Sequence, residues 1–190
     1  MNKNSIQEKR VKGYFIQAAI EILRGEGINN LSVRNIAEKA GYSYATLYNY
    51  FKDINELLSL CIAEFLKENE DSINYAIKST PNGEERIKVI YYTYIKYFVQ
   101  YPGIFELIYS TKLNSKNSRE LIVKFLDNLC DEDWNYLISE NIYSEMDVNI
   151  KKDSIKYIIT GLLVLYNNLQ FPTDYEQFQL KIKTQINSIL

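Results

Sequence analysis

Hydrophobic positions recur at helical spacing along almost the whole chain, and no stretch alternates with the period of two that a strand requires. An apolar stripe of Ile6, Phe15, Ala18, Ala19, Ile22 and Leu23 predicts a helix over residues 5–24, stopped by Gly25 and Gly27. A second helix starts at Ser32 as N-cap, turns Val33, Ile36 and Ala37 inward, and ends at Gly41. A third starts at the Ser43 cap and runs to Phe51. Asp53, with Glu56 three residues on, opens a fourth that runs toward Ser79, where Pro81-Asn82-Gly83 stops it. A fifth carries Ile87, Ile90, Tyr91, Tyr94, Tyr97, Phe98 and Tyr101 on one broad face, and Pro102-Gly103 separates it from a short sixth through Phe105 and Tyr109. Further helices are predicted over 118–139, 154–170 and 175–190, with the polar stretch 144–153 as a loop. The expected fold is all-α, with about nine helices.

Composition narrows the function classes. Of the 190 residues 46% are hydrophobic, which is enough for a substantial core. The longest apolar block, ITGLLVLY at 159–166, falls far short of the ~18 residues of a membrane span, and the amino-terminus carries no apolar signal region, so a cytoplasmic protein is expected. The chain has no histidine, which excludes Ser-His-Asp and Cys-His nucleophilic schemes and most zinc sites. Cys61 and Cys130 have no CxxC partner and read as buried thiols. Charge is lopsided: residues 1–52 hold 8 Lys/Arg against 4 Asp/Glu, while residues 53–190 hold 14 against 20. A basic head on an acidic body suggests an anionic partner for the head.

The segment AEKAGYSYATLYNYFKD, residues 37–53, sharpens this, because four tyrosines fall within nine positions. Two helices joined by a glycine-containing turn have the length of a helix-turn-helix. On a helical wheel Leu47 and Phe51 point inward, Ala45 and Asn49 point outward, and Tyr48 and Tyr50 flank the outward ridge at about 80° from the core direction. A small polar ridge of this kind suits base edges in a major groove, and the flanking hydroxyls suit phosphate oxygens. Tyr42 stands at hydrophobic-staple spacing from Leu47. Tyr44 is open between groove contact and local packing.

Residues 13–57 resemble the DNA-binding region of the tetracycline-repressor (TetR) family of bacterial transcription regulators. The resemblance is carried by Ala18-Ala19, Gly27, Leu31 through Ala37, Ala40-Gly41, Ser43, Thr46 through Lys52, and Glu56-Leu57, about a quarter of the chain. It implies a DNA-binding domain over 1–53, with Ser32, Arg34, Ser43, Tyr44, Ala45, Thr46, Tyr48, Asn49, Tyr50 and Lys52 at the DNA. Ile54 departs from the lysine often found in that family near the start of the fourth helix. The resemblance further implies a helical effector-binding and dimerisation domain over 54–190, with a ligand cavity among the fifth to eighth helices and a homodimer through the last two.

The body carries no catalytic constellation, no metal-ligand spacing and no cofactor motif. Its aromatic stripe is either core or cavity lining; as lining, Tyr94, Phe98, Tyr101, Phe105, Tyr109 and Trp134 suit an apolar or aromatic effector. The helix over 154–170 is apolar nearly all round, which implies a second buried face. With the last helix it offers Ile158, Leu162, Leu165, Tyr166, Phe178, Ile182, Ile186 and Ile189 as a four-helix seam between two copies. The expectation is a homodimeric repressor of a palindromic operator, not an enzyme, released by a small molecule. Two rivals stand: a DNA binder without such a switch, and an all-helical enzyme based on Asp/Glu chemistry.

Overall fold

A computed structural model describes residues 3–111 and 116–190. Ten α-helices form within these residues: α1 Lys3–Gly25, α2 Val33–Ala40, α3 Tyr44–Leu47, α4 Ile54–Ala76, α5 Glu84–Gln100, α6 Pro102–Phe105, α7 Lys116–Asn128, α8 Asp131–Ser139, α9 Glu145–Leu169 and α10 Tyr175–Ile189. A 3-10 turn over Ile28–Asn30 and a π turn over Glu106–Ser110 complete the helical segments, and no strand occurs among the described residues.

The expected end signals act as local physics dictates. Ser32 and Ser43 accept the backbone N–H groups of Asn35 and Thr46, both at 3.2 Å, so each supplies a partner to an otherwise orphan donor. Gly41 closes α2 in the left-handed region at φ 78°, where a side chain would be strained. Asp53 accepts Glu56 N–H at 2.9 Å, and the Glu56 carboxylate reaches back to Lys52 N–H at 2.7 Å.

In the second half of the chain two expected elements differ. The helix expected over 118–139 is broken at Leu129-Cys130, giving α7 and α8. The acidic run Asp131-Glu132-Asp133 then occupies the first turn of α8, where the helix dipole favours negative charge. The polar stretch 144–153 is not a loop but the start of α9. Ser144 and Asp147 exchange a full capping box there, at 3.1 and 3.2 Å, and Val148 continues the buried line of Ile155, Ile159 and Leu163.

Packing separates the chain into two compact units. The first comprises Met1–Glu68 and Tyr101–Ile122. Phe15, Ile22, Leu23, Ile36, Leu47, Phe51 and Phe65 form its core, each at most 1% exposed; Ile6, expected in the α1 stripe, is exposed. α6 packs on the end of α1, and Gly103 makes this possible: a Cβ there would stand 2.4 Å from the Leu23 carbonyl oxygen and 3.1 Å from Gly27 Cα. The Arg24 guanidinium lies over the Tyr101 ring at 5.2 Å and pairs with Glu68.

The second unit comprises Asn69–Gln100 and Val123–Leu190. Here α9 packs against α5, α8 and α10. Asp133 is buried: it accepts Gly83 N–H at 3.0 Å and lies 3.5 Å from Arg86 Nε. Each unit holds one buried thiol. Burial pushes the Cys61 thiol up to about 12 and raises that of Cys130 further.

Candidate nucleic-acid interface

The segment 31–52 is built on one ring. Phe15 of α1 is fully buried, with Tyr42 at 5.3 Å, Phe51 edge-on at 6.1 Å and Tyr50 at 6.3 Å around it. This hub fixes α3 against α1 through aromatic contacts that the reading of α2 and α3 alone did not include. Tyr42 also stacks on Tyr14 at 6.4 Å. Its ring partners therefore lie on α1, in addition to any local staple role.

The four tyrosines divide into two pairs. Tyr42 and Tyr50 are half-buried against Phe15, while Tyr44 and Tyr48 are 58% and 53% exposed. Tyr44, left open between two readings, is therefore on the outside. Tyr50, expected on the flank of the outward ridge, is half-buried, with its ring 6.3 Å from that of Phe15. The helix expected to reach Phe51 is regular over Tyr44–Leu47 and continues as turns, in which Asn49 N–H bonds Thr46 O at 3.1 Å and Leu47 O accepts both Tyr50 N–H and Phe51 N–H at 3.0 Å.

What faces solvent is a ridge of Tyr44, Ala45, Tyr48 and Asn49, with Leu47 and Phe51 beneath it. Thr46 is half-buried, and its hydroxyl lies 2.8 Å from Ser43 Oγ, which also serves the cap. Arg34 and Lys52 are exposed, and neither side chain makes an ion pair among the described residues. Lys39, by contrast, is held by Glu26 at 3.4 Å and Glu21 at 3.9 Å. The free cations stand on either side of the ridge in sequence, at the start of α2 and after α3, as phosphate contacts on both sides of a groove require. Ser32, at the α2 cap beside Arg34, is exposed as well.

The other candidate residues fall in both units. Tyr94 and Phe98 pack edge-on at 4.9 Å in the second unit, with Phe125 stacked on Tyr94 at 6.4 Å. Trp134 is buried in the same unit, 6.5 Å from Tyr143. Tyr101, Phe105 and Tyr109 belong to the first unit, where Phe105 and Tyr109 lie 4.9 Å apart. Of the residues considered for a dimer seam, Phe178, Ile182 and Ile186 are buried within the chain's own core, and Tyr166 stacks on Phe178 at 4.2 Å. Ile158 and Leu162 are half-buried and Leu165 exposed; they line a shallow concavity of about 340 Å³ with Tyr157, Lys181 and Gln185. Ile189, near the chain end, is half-buried. No described helix is long and apolar enough to cross a membrane.

Comparison with known proteins fits this geometry. Residues 15–61 match the family of bacterial regulatory proteins described as the tetR family. The nucleoid occlusion factor SlmA of Haemophilus ducreyi is 24% identical over 136 residues, 68% of this chain and 64% of that protein, so the chain spans just under two thirds of that relative's length. Among solved structures, a TetR transcription regulator from Haloarcula marismortui superposes with a TM-score of 0.74 at 18% identity, covering 95% of this chain and 98% of that one. The transcriptional regulator FadR of Bacillus subtilis, crystallised with stearoyl-CoA, superposes with a TM-score of 0.73 at 18% identity, covering 93% and 96%.

Proposed function

We propose, for a chain that is a member of the tetR family of bacterial regulatory proteins through residues 15–61, that it is a homodimeric repressor that binds a palindromic operator and is released by a small-molecule effector. One observation carries the DNA-binding part. A capped turn of helix presents Tyr44, Ala45, Tyr48 and Asn49 to solvent, while its inward positions are already filled by Leu47 and Phe51. In this reading Asn49 and Ala45 face base edges, and Tyr44 and Tyr48 hold phosphates. Ser32, Arg34, Ser43, Thr46, Tyr50 and Lys52 complete the surface from the two helix starts and the turn after α3. Its role is binding rather than catalysis, in the cytoplasm where the operator lies.

The functional division is residues 1–53 for DNA and 54–190 for effector and partner. The seam between copies is formed by the outward side of α9, Ile158, Leu162 and Leu165, since the stripe of α10 serves the chain's own core. The effector is apolar or aromatic, held by members of the set Tyr94, Phe98, Tyr101, Phe105, Tyr109 and Trp134; that a structural neighbour of the same fold was crystallised with an acyl-CoA supports this class. Coupling has a route within the first unit. α6 lies on the end of α1 through Gly103, so a shift of residues 101–111 moves the helix whose Phe15 anchors α3. An effector releases DNA only by its differential affinity for the two arrangements.

The test is selection of operator from a randomised double-stranded DNA pool by the whole chain, with the mass of the complex measured in solution. A palindromic site with half-sites about one helical turn apart, bound by two chains, is expected. Leu162→Glu, at a half-buried position on the outward side of α9, is expected to give a folded monomer with at least about tenfold weaker binding, since each half-site alone offers too few contacts. A pool without sequence preference, or a monomer at micromolar concentration, overturns the reading.

A further inference from the structure

We propose that the groove between α5 and α10 is a binding site for a small aromatic carboxylate, separate from the effector set above. The groove encloses about 190 Å³. Its floor is Ile95, Phe178 and Ile182, each at most 5% exposed, and Tyr92 and Tyr175 form its sides. An apolar cavity of about 150 Å³ holds a benzene ring, so this volume accepts one ring with a short polar substituent. Phe178 is fixed beneath the groove, with Tyr166 stacked on it at 4.2 Å and Tyr175 beside it nearly parallel, ring centres 6.4 Å apart. A planar ligand ring in the groove lies against the accessible Tyr92 and Tyr175 rings at its sides.

Charge selects the substituent. No residue lining the groove is acidic, and two, Lys96 and Lys183, are lysines. Neither makes an ion pair among the described residues, whereas Lys88, on the same helix as Lys96, is held by Glu85 at 2.7 Å. Residues 53–190 carry 14 Lys/Arg against 20 Asp/Glu, so a concavity bordered by two cations and no carboxylate runs against the charge of its own domain. Two ammonium groups above an apolar floor complement one carboxylate on one ring: the ring replaces water on the floor, and the carboxylate takes charge-assisted hydrogen bonds at the rim.

The site is compatible with a dimer. Gln179 and Lys183, one turn apart, occupy one flank of α10, and Lys181 and Gln185, which line the concavity beside α9, occupy the other. Residues 179 and 181 stand about 160° apart around the helix. A ligand in the groove and a second copy against α9 therefore use opposite sides of α10.

The experiment follows backbone amide signals of the whole chain during titration with two probes of one shape, benzoate and benzyl alcohol. Benzoate is expected to bind with a dissociation constant of about a millimolar or tighter, as a ligand of this size can. Shifts should concentrate at residues 92–96 and 175–183, with benzyl alcohol about tenfold weaker. Lys96→Gln combined with Lys183→Gln, both exposed positions, should bring benzoate down to the affinity of the alcohol and leave the alcohol unchanged. Gln179→Glu, which sets a negative charge on the rim, should weaken benzoate in the same sense. Shifts centred elsewhere, equal affinity for the two probes, indifference of benzoate to the lysine substitutions, or no binding at tens of millimolar each overturns the site. Operator binding is read separately and does not enter these outcomes.

Discussion

Tyrosine has opposite fates on α5 and around α3. On α5, Tyr91, Tyr94 and Tyr97 are at most 6% exposed, and Tyr94 and Tyr97 both pack edge-on against Phe98. On α3 and at its C-cap, Tyr44 and Tyr48 leave more than half of their surface in water. The difference does not come from the local pattern alone, since both segments are helical and rich in phenols. It comes from what fills the inward positions. Leu47 and Phe51 already occupy the inner face of the α3 segment, so the neighbouring rings have no core to enter. On α5 the phenols are themselves the inward residues. A large ring held outside contributes little to folding and keeps its contact area for a partner, whereas the same ring inside stabilises by about 1.5–3 kcal/mol through burial.

The largest expected effect tests that contrast directly. Tyr94→Ala should destabilise the chain by about 3 kcal/mol or more, as removal of a buried aromatic ring does. Tyr48→Ala should change stability by less than about 0.5 kcal/mol. Denaturant unfolding followed by circular dichroism measures both, and similar losses would erase the distinction between the two sets of rings.

A smaller effect sharpens the contrast within α3. Asn49→Ala should flatten base preference at two symmetry-related operator positions, with about 1–3 kcal/mol of discrimination lost per contact. Tyr48→Phe should weaken binding to every sequence and keep the preferences intact. Affinities for a randomised operator library separate the two, and a change of preference with Tyr48→Phe would mean that the ridge is turned differently in the groove. The smallest effect is electrostatic. Lys52→Ala should lower the slope of log affinity against log salt by about 1 per subunit, whereas Tyr48→Phe should leave it in place because a neutral phenol releases no counterion. Titrations at several salt concentrations decide between them.

The parts of this molecule that were legible in sequence are those whose causes are local. Ser32, Gly41, Ser43 and the Asp53–Glu56 pair act within a few residues of themselves, and each marks its helix end where expected. The inward positions of Leu47 and Phe51 follow from helical spacing, and both are buried. What was missed depends on partners distant in sequence. Tyr50 is half-buried against Phe15, which lies 35 positions earlier. Phe178, Ile182 and Ile186 make a stripe that serves a partner or the chain itself equally well in one dimension; α5 and α9 take it. The start of α9 looked like a loop because its polar residues hide a single inward Val148, and its capping partner is Asp147 rather than the Glu or Gln more common at that position. The groove between α5 and α10 left no sequence signal, since its two lysines lie 87 positions apart.

The two buried thiols give the chain a pair of internal clocks. A thiolate is the species that alkylating reagents attack, and a closed unit keeps its thiol both covered and protonated. Labelling therefore proceeds only during moments when the surrounding helices part. Cys61 keeps time for the unit that holds the solvent-facing ridge of Tyr44, Ala45, Tyr48 and Asn49, and Cys130 for the unit that holds most of the body, so one reagent and one mass spectrum record the opening of each separately.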